Sequence, residues 1–388
     1  MSGPLDGVRV LDLSRILAGP WCTQTLADLG AEVIKVERPE GGDDTRAWGP
    51  PFARDAHGNP TSDAAYFMAA NRGKKSITLD ISSAQGQAKI RELVASSDVL
   101  LENYKVGGLV KYGLDYASLK AVNPALVYCS ITGFGQTGPY KQRPGYDFMI
   151  QAMGGLMSIT GEADEQPGGG PIKVGVAVAD LYTGLYATIG ILAALRRKDA
   201  TGQGEHVDIA LLDTQVAVLA NQSMNYLTTG DSPRRLGNAH PNIVPYEAFA
   251  SADGHLILAI GNEGQFERFC AVAGCAELAE DPHYATNQLR VTHRNTLVPE
   301  IAKAIARKTT DEWITELARA NVPCGPINRI EQVFCDPQVL ARELLLSLPH
   351  TEAGTVPSVA SPIRFVENPI EYTTGPPLLG QHNGEFLD

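Results

Sequence analysis

Two carboxylates in this chain are set for chemistry. Asp180 closes the small and apolar stretch "VGVAVAD" and is followed by the apolar run Leu181 to Leu195; Asp147 follows Tyr146 in "RPGYDFM". An aspartate at the start of a helix caps its first N–H groups, worth ~1 kcal/mol. The same placement lowers a carboxylate's pKa and orients it, as a carboxylate nucleophile requires. Chain order leaves both readings open.

Rival chemistries lack their residues. No Walker A, HExxH, GxSxG or CxxC motif occurs, so the common nucleotide, zinc and serine-hydrolase readings have no sequence support. The six cysteines are scattered and do not pair with the eight histidines at metal spacing, which predicts reduced, buried thiols and no metal. "GFGQTG", Gly133 to Gly138, fits GxGxxG after a strand, but Pro139 follows where a helix must open. Its glycines instead let the backbone turn or pass close to something. "GNEGQF" carries Gly261, Gly264 and Gln265 directly after a strand, and reads either as a plain turn or as a flap over a pocket.

These residues need elements to hold them. With 388 residues, the chain suits one large domain and a lesser one. "VRVLDL", "GPWCTQTLADLG" and "EVIKVER" form a βαβ unit, and strands and helices keep alternating through "KSITLDI", "SAQGQAKIRELVAS", "DVLLENY" and "LVYCSITGFG". That pattern predicts a doubly wound α/β domain with a parallel sheet. The loop from Pro39 to Pro60 is long enough to suggest a functional surface. A helix is predicted from Asp180 to Arg197, and the polar stretch Thr228 to Asn242 reads as a linker to a smaller α+β unit. The division expected is 1–228 for the large domain, 229–325 for the small one, and 326–388 returning to the large one. The Pro-rich last sixty residues read as a segment lying over another domain or subunit.

Composition narrows the partners. A formal net charge of -12 argues against nucleic acid or an anionic membrane as partner, although a local basic pocket could hold a small anion. The N-terminal stretch lacks the basic and apolar regions of a signal peptide, which predicts a cytoplasmic protein. Leu181 to Leu195 is shorter than the ~20 residues a bilayer requires and contains Gly184 and Gly190, so a buried helix is expected.

Several stretches taken together resemble the class III CoA-transferases: "LAGPWCTQTLADLGAEVIKVERPEGGDDTRAWGPP", "NRGKKSITLDI", "ENYKVGGLVKYGLDY", "SITGFGQTGPYKQRPGYD", "VGVAVADLYTGLYA" and "PLLGQH". The resemblance runs from residue 4 to about 383. Within the family, "VERPEGGDDTRAWGPPF", "YCSITGFGQTGP", "NIVPYEAF" and "NQLRVTHR" look most like the succinyl-CoA:glutarate (dicarboxylate) type.

The resemblance implies CoA transfer from an acyl-CoA to a carboxylic acid, through an aspartyl anhydride and an aspartyl-CoA thioester on Asp180. It further implies CoA-binding positions at Leu17, Ala18, Arg38, Leu79, Asn103, Tyr104 and Lys111, with Tyr146 and Asp147 beside the nucleophile. CoA thioesters are then substrates, with no permanently bound cofactor. The implied fold is a Rossmann-like large domain with a smaller α+β domain, in an interlocked homodimer. Two departures stand out. Leu17 replaces the glutamine of formyl-CoA transferase, which argues against formate and oxalate, and Pro144 replaces a lysine, with Lys141 and Arg143 close by for phosphates. The rival reading within the family is a 2-methylacyl-CoA racemase. Racemases pair the aspartate with a histidine where this chain has Tyr146, a poor two-way base. For a distal carboxylate on the acceptor, Arg46, Arg72, Arg234 and His240 are candidates that the sequence does not rank.

Overall fold

A computed structural model describes residues 3–387. The chain divides into two compact units. The first takes the residues up to Leu156, Val174–Gly230 and the chain from Pro337 onward; the second takes Met157–Lys173 and Asp231–Asp336.

The first unit is built on six parallel strands: β1 (Arg9–Asp12), β2 (Glu32–Glu37), β3 (Lys74–Thr78), β4 (Val99–Glu102), β5 (Val127–Thr132) and β6 (His206–Ala210). Their spatial order is β3-β2-β1-β4-β5-β6, the order of doubly wound dinucleotide folds. Alternate residues of each strand serve opposite faces. Val10, Val33, Val99, Leu101 and Val127 pack with Cys22 and Leu26 of helix α1 (Ala18–Asp28). Leu11, Ile34, Leu100 and Tyr128 pack with Ile90, Leu93 and Val94 of α2 (Ala84–Ala95). Both faces are covered, as an all-parallel sheet requires.

Further helices of the unit include α3 (Asp147–Met153), α4 (Val178–Thr201) and α5 (Ala220–Thr229). Helix α4 corrects two sequence expectations. It starts at Val178, two residues before Asp180, and its 24 residues are long and apolar enough to cross a membrane by length and composition alone. One face of it is core all the same, with Ala179, Ala187 and Ile191 fully buried. Gly184 explains the close packing on α1, because a Cβ there would sit 2.6 Å from the Ala18 carbonyl oxygen. The other face leaves Tyr182, Leu185, Tyr186 and Ile189 exposed at i, i+3, i+4 and i+7.

The long loop after β2 is tied down by buried charge. Lys35 reaches Asp43 at 2.9 Å, both fully buried, and Arg46 binds Glu37 and Asp63. The C-terminal segment forms an antiparallel hairpin, Leu345–His350 with Gly354–Val359, and then docks on the unit's own edge strand. There the His382 N–H meets the Ser76 carbonyl at 2.9 Å and the Asn383 side chain accepts from the Thr78 N–H at 2.8 Å. An exposed row of backbone groups on β3 is thereby covered.

The second unit holds three antiparallel strands, β7 (Tyr246–Ala250), β8 (His255–Ala259) and β9 (Cys324–Pro326), in the order β9-β8-β7. Phe269, Leu297, Ile301 and Trp313 fill its core, contributed by helices α6 (Glu263–Ala273), α7 (Arg294–Ile305) and α8 (Thr310–Arg319). All six cysteines are free thiols, four of them buried; Cys324 is half-buried and Cys335 is exposed, against the expectation of burial throughout.

Candidate active site

The sheet order reverses between β1 and β4, and a crevice opens beyond the carboxyl ends of those strands. The chain leaving β1 turns sharply: Ile16 has φ 74, rare for a β-branched residue, and Leu17 and Ala18 then begin α1. The chain leaving β4 presents Asn103 and Tyr104. Asn103 joins the two loops, accepting from the Arg15 N–H at 3.0 Å and donating to the Arg15 carbonyl at 2.7 Å.

A cavity of about 590 Å³ lies here. It brings together Leu17, Ala18, Asn103, Tyr104, Lys111, Tyr146 and Asp180. Five cationic side chains line it, Arg15, Lys105, Lys111, Lys141 and Arg143, in a chain of net negative charge. Such a rim suits phosphates or carboxylates. The Nε of Arg15 is buried with no partner among the described residues, while its Nη1 meets Asp44 at 3.1 Å.

Asp180 is the third residue of α4, and the preceding Ala177 offers no side-chain cap. The cap comes from α3 instead, where Asp147 Oδ1 accepts the Ala179 N–H at 2.8 Å. Asp180 is therefore not the cap of its helix. Nor is its carboxyl held low by the helix end: burial, and after it the charge of Asp147, push its pKa up to about 7. A carboxyl with that pKa is about half ionised in neutral water and changes charge readily.

Other expected residues lie elsewhere. Arg38 is exposed and pairs with Asp44 at 2.6 Å, and Leu79 lines a separate cavity beside α2; neither lines the cavity of Asp180. Gly261, Gly264 and Gln265 belong to the second unit. Asn262 caps α6 by accepting from the Gln265 N–H at 2.9 Å, while the Gln265 side chain accepts from the Gly261 N–H at 2.7 Å, so "GNEGQF" is a tight helix start. Of the candidates for a distal carboxylate, Arg46 is engaged by Glu37 and Asp63, and Arg72 is held by both oxygens of Asp28. Neither has a free fork to offer.

Glu102 is a contributor that sequence reading passes over. It ends β4, and its carboxylate accepts the Tyr104 N–H at 2.7 Å, fixing one wall of the cavity. Burial pushes its pKa up to about 7. "GFGQTG" also finds its reason, since a Cβ on Gly133 would sit 2.5 Å from the Gly145 Cα. The two backbones touch, and the loop carrying Lys141 and Arg143 closes on itself at the cavity's edge.

An α/β unit with a carboxylate in a cationic crevice defines a class, and comparison supplies its name. The model of CoA-transferase family III matches residues 5–383, and the chain belongs to that family. A succinate–glutarate CoA-transferase of Agrobacterium fabrum is 53% identical, over 99% of this chain and 95% of its own. The human succinyl-CoA:glutarate CoA-transferase is 43% identical, over 99% of this chain and 85% of its own. The crystal structure of a CAIB/BAIF family protein from Brucella suis superimposes with a TM-score of 0.86 at 51% identity, covering 99% of this chain and 98% of that one.

Proposed function

We propose that this enzyme moves CoA from succinyl-CoA to a dicarboxylate acceptor, glutarate first among them, with Asp180 as nucleophile. The observation carrying this reading is the placement of Asp180 in the cation-lined cavity at the switch of the sheet. The relatives' substrates supply the choice of donor and acceptor.

The steps follow from the chemistry of a carboxylate. Asp180 attacks the thioester carbonyl, the C–S bond breaks, and CoA thiolate leaves an aspartyl-acyl anhydride. The thiolate then attacks the aspartyl carbonyl and expels the donor as its carboxylate, giving an aspartyl-CoA thioester. The acceptor carboxylate attacks this carbonyl and releases the thiolate, which finally takes the acceptor's acyl group and frees Asp180. Anhydride and thioester have similar reactivity, so no step falls into a deep well. Leu17, Ala18, Asn103, Tyr104 and Lys111 line the same cavity as Asp180 and would bind CoA there. Arg38 would serve from the rim through Asp44, which Arg15 shares. Leu79 and the Gly261, Gly264 and Gln265 turn keep the roles of CoA wall and shield against water as expectations of the family alone.

We also propose a cytoplasmic, interlocked homodimer. The exposed stripe of Tyr182, Leu185, Tyr186 and Ile189, with Met224, Tyr226 and Leu227 of α5, supports it as a surface wanting an apolar partner. The functional test is a panel of carboxylic acids offered with succinyl-CoA, read by mass spectrometry of the CoA products. Glutaryl-CoA is expected as the main product, and full turnover in Asp180→Ala would refute the reading.

A further inference from the structure

The segment that delivers Asp180 has little packing of its own. Residues 174–177 have no regular structure, and Gly175 and Val176 are exposed. Hydrogen bonds to α3 help anchor it. Gln151, fully buried one turn after Asp147, donates from Nε2 to Asp147 Oδ2 at 2.7 Å. Its Oε1 accepts the Val174 N–H at 2.9 Å. Asp147 Oδ1 takes the Ala179 N–H at 2.8 Å. One side-chain pair thus grips the chain at both ends of the approach to Asp180.

We infer that Gln151 is a positioning residue of the transfer reaction: through Asp147 and Val174 it fixes the turn that aims Asp180 at the thioester. This rests on the reading of Asp180 as nucleophile. Asp147 has two oxygens and needs a donor on one to present the other squarely to Ala179. Gln151 supplies that donor, and only a side chain with both a donor and an acceptor end can satisfy Asp147 and Val174 together. A misaimed nucleophile loses rate rather than binding, since the CoA-lining walls at Leu17, Asn103 and Tyr104 stand on other elements. Gln151 also sits against the Asp147 carboxylate, whose charge adds to burial in raising the pKa of Asp180, so altering it alters that titration. Tyr66 is the other titratable group that faces both carboxylates among the described residues, its hydroxyl pushed up by burial and then by the charges of Asp180 and Asp147.

The experiment compares wild type with Gln151→Leu, Gln151→Glu, Asp147→Asn and the Asp147→Asn/Gln151→Leu double variant. Gln151→Leu is expected to lower kcat at least ~10-fold with KM for succinyl-CoA changed less than ~3-fold. In the Asp147→Asn background the same change costs less than ~3-fold, because the two residues act as one clamp. Gln151→Glu sets a second carboxylate against Asp147 and moves the kcat/KM profile to higher pH, which a merely structural residue would not do. Losses that multiply independently, a change in KM alone, or an unmoved pH midpoint in Gln151→Glu would each overturn the inference. If Gln151→Leu does not fold, Gln151→Glu decides by its pH midpoint. Trapping the acyl group on Asp180 in wild type separates the two claims. Without an adduct the nucleophile reading fails, whereas an adduct combined with wild-type rates in the Gln151 variants defeats the clamp alone.

Discussion

The acidity of Asp180 makes a quantitative prediction for rate against pH. With its pKa near 7 in the free site, about 9% of the enzyme is in the attacking form at pH 6 and about 91% at pH 8. If attack by the anion limits kcat/KM for succinyl-CoA, that parameter rises ~10-fold across the interval and levels off above it. The donor's own carboxyl titrates well below pH 6, so the enzyme sets the slope. Burial is the larger cause of the raised pKa and the Asp147 charge the second, so Asp147→Asn moves the midpoint to lower pH by roughly half a unit or more. The asparagine oxygen can still accept the Ala179 N–H, which keeps α4 capped. The assay is the initial rate of CoA transfer at low succinyl-CoA, in overlapping buffers of constant ionic strength. A profile flat from pH 6 to 8, or an unmoved midpoint in Asp147→Asn, would refute the reasoning.

The remaining predictions concern the frame around the site. Asp43→Ala leaves Lys35 charged, fully buried and short of its nearest partner, and should cost about 3–5 kcal/mol in denaturant unfolding; a loss under 1 kcal/mol would contradict the account. In wild type the Asp43 carboxyl is lowered to about 2 from 3.8 by Lys35 and hydrogen bonds that outweigh burial, so its stabilisation is complete above about pH 4 and disappears as pH falls through 2. Thermal melts between pH 5 and 2 read that slope. Asn103→Ala removes both bonds that join the loops after β1 and β4, and KM for succinyl-CoA should rise about 10-fold, with a rise below 2-fold counting against the role. Gly133→Ala drives a methyl into Gly145 and should destabilise by about 1–3 kcal/mol with loss of activity; a neutral melt would show the close approach to be dispensable.

The alternation of strands and helices was readable because "VRVLDL", "EVIKVER" and "LVYCSITG" are β-rich runs bounded by helical patterns, and they became β1, β2 and β5. The sheet order was not, because which strands pair depends on contacts far apart in sequence. Asp180 stood out by its setting, but its cap role did not survive. Aspartate is a frequent N-cap, and nothing local reveals that Asp147 on another helix does the capping. Lys35 and Lys74 look like surface lysines in their strands, yet both are fully buried against Asp43 and Asp12. Their partners, Asp43 on the loop after β2 and Asp12 at the end of β1, are brought near only by the fold. Arg46 and Arg72 seemed available for a substrate carboxylate for the same reason: their own carboxylate partners are 9 and 44 residues away in the chain. Of the residues implied by family resemblance, those on the loops after β1 and β4 line the cavity with Asp180, while Arg38 and Leu79 do not.

The central claim is that Asp180 carries the acyl group. Its most direct test is to mix the enzyme with succinyl-CoA, add hydroxylamine, and map the modified peptide by mass spectrometry. A hydroxamate on Asp180, absent in Asp180→Ala, is the predicted result. CoA transfer proceeding at full rate with Asp180 left unmodified would contradict it.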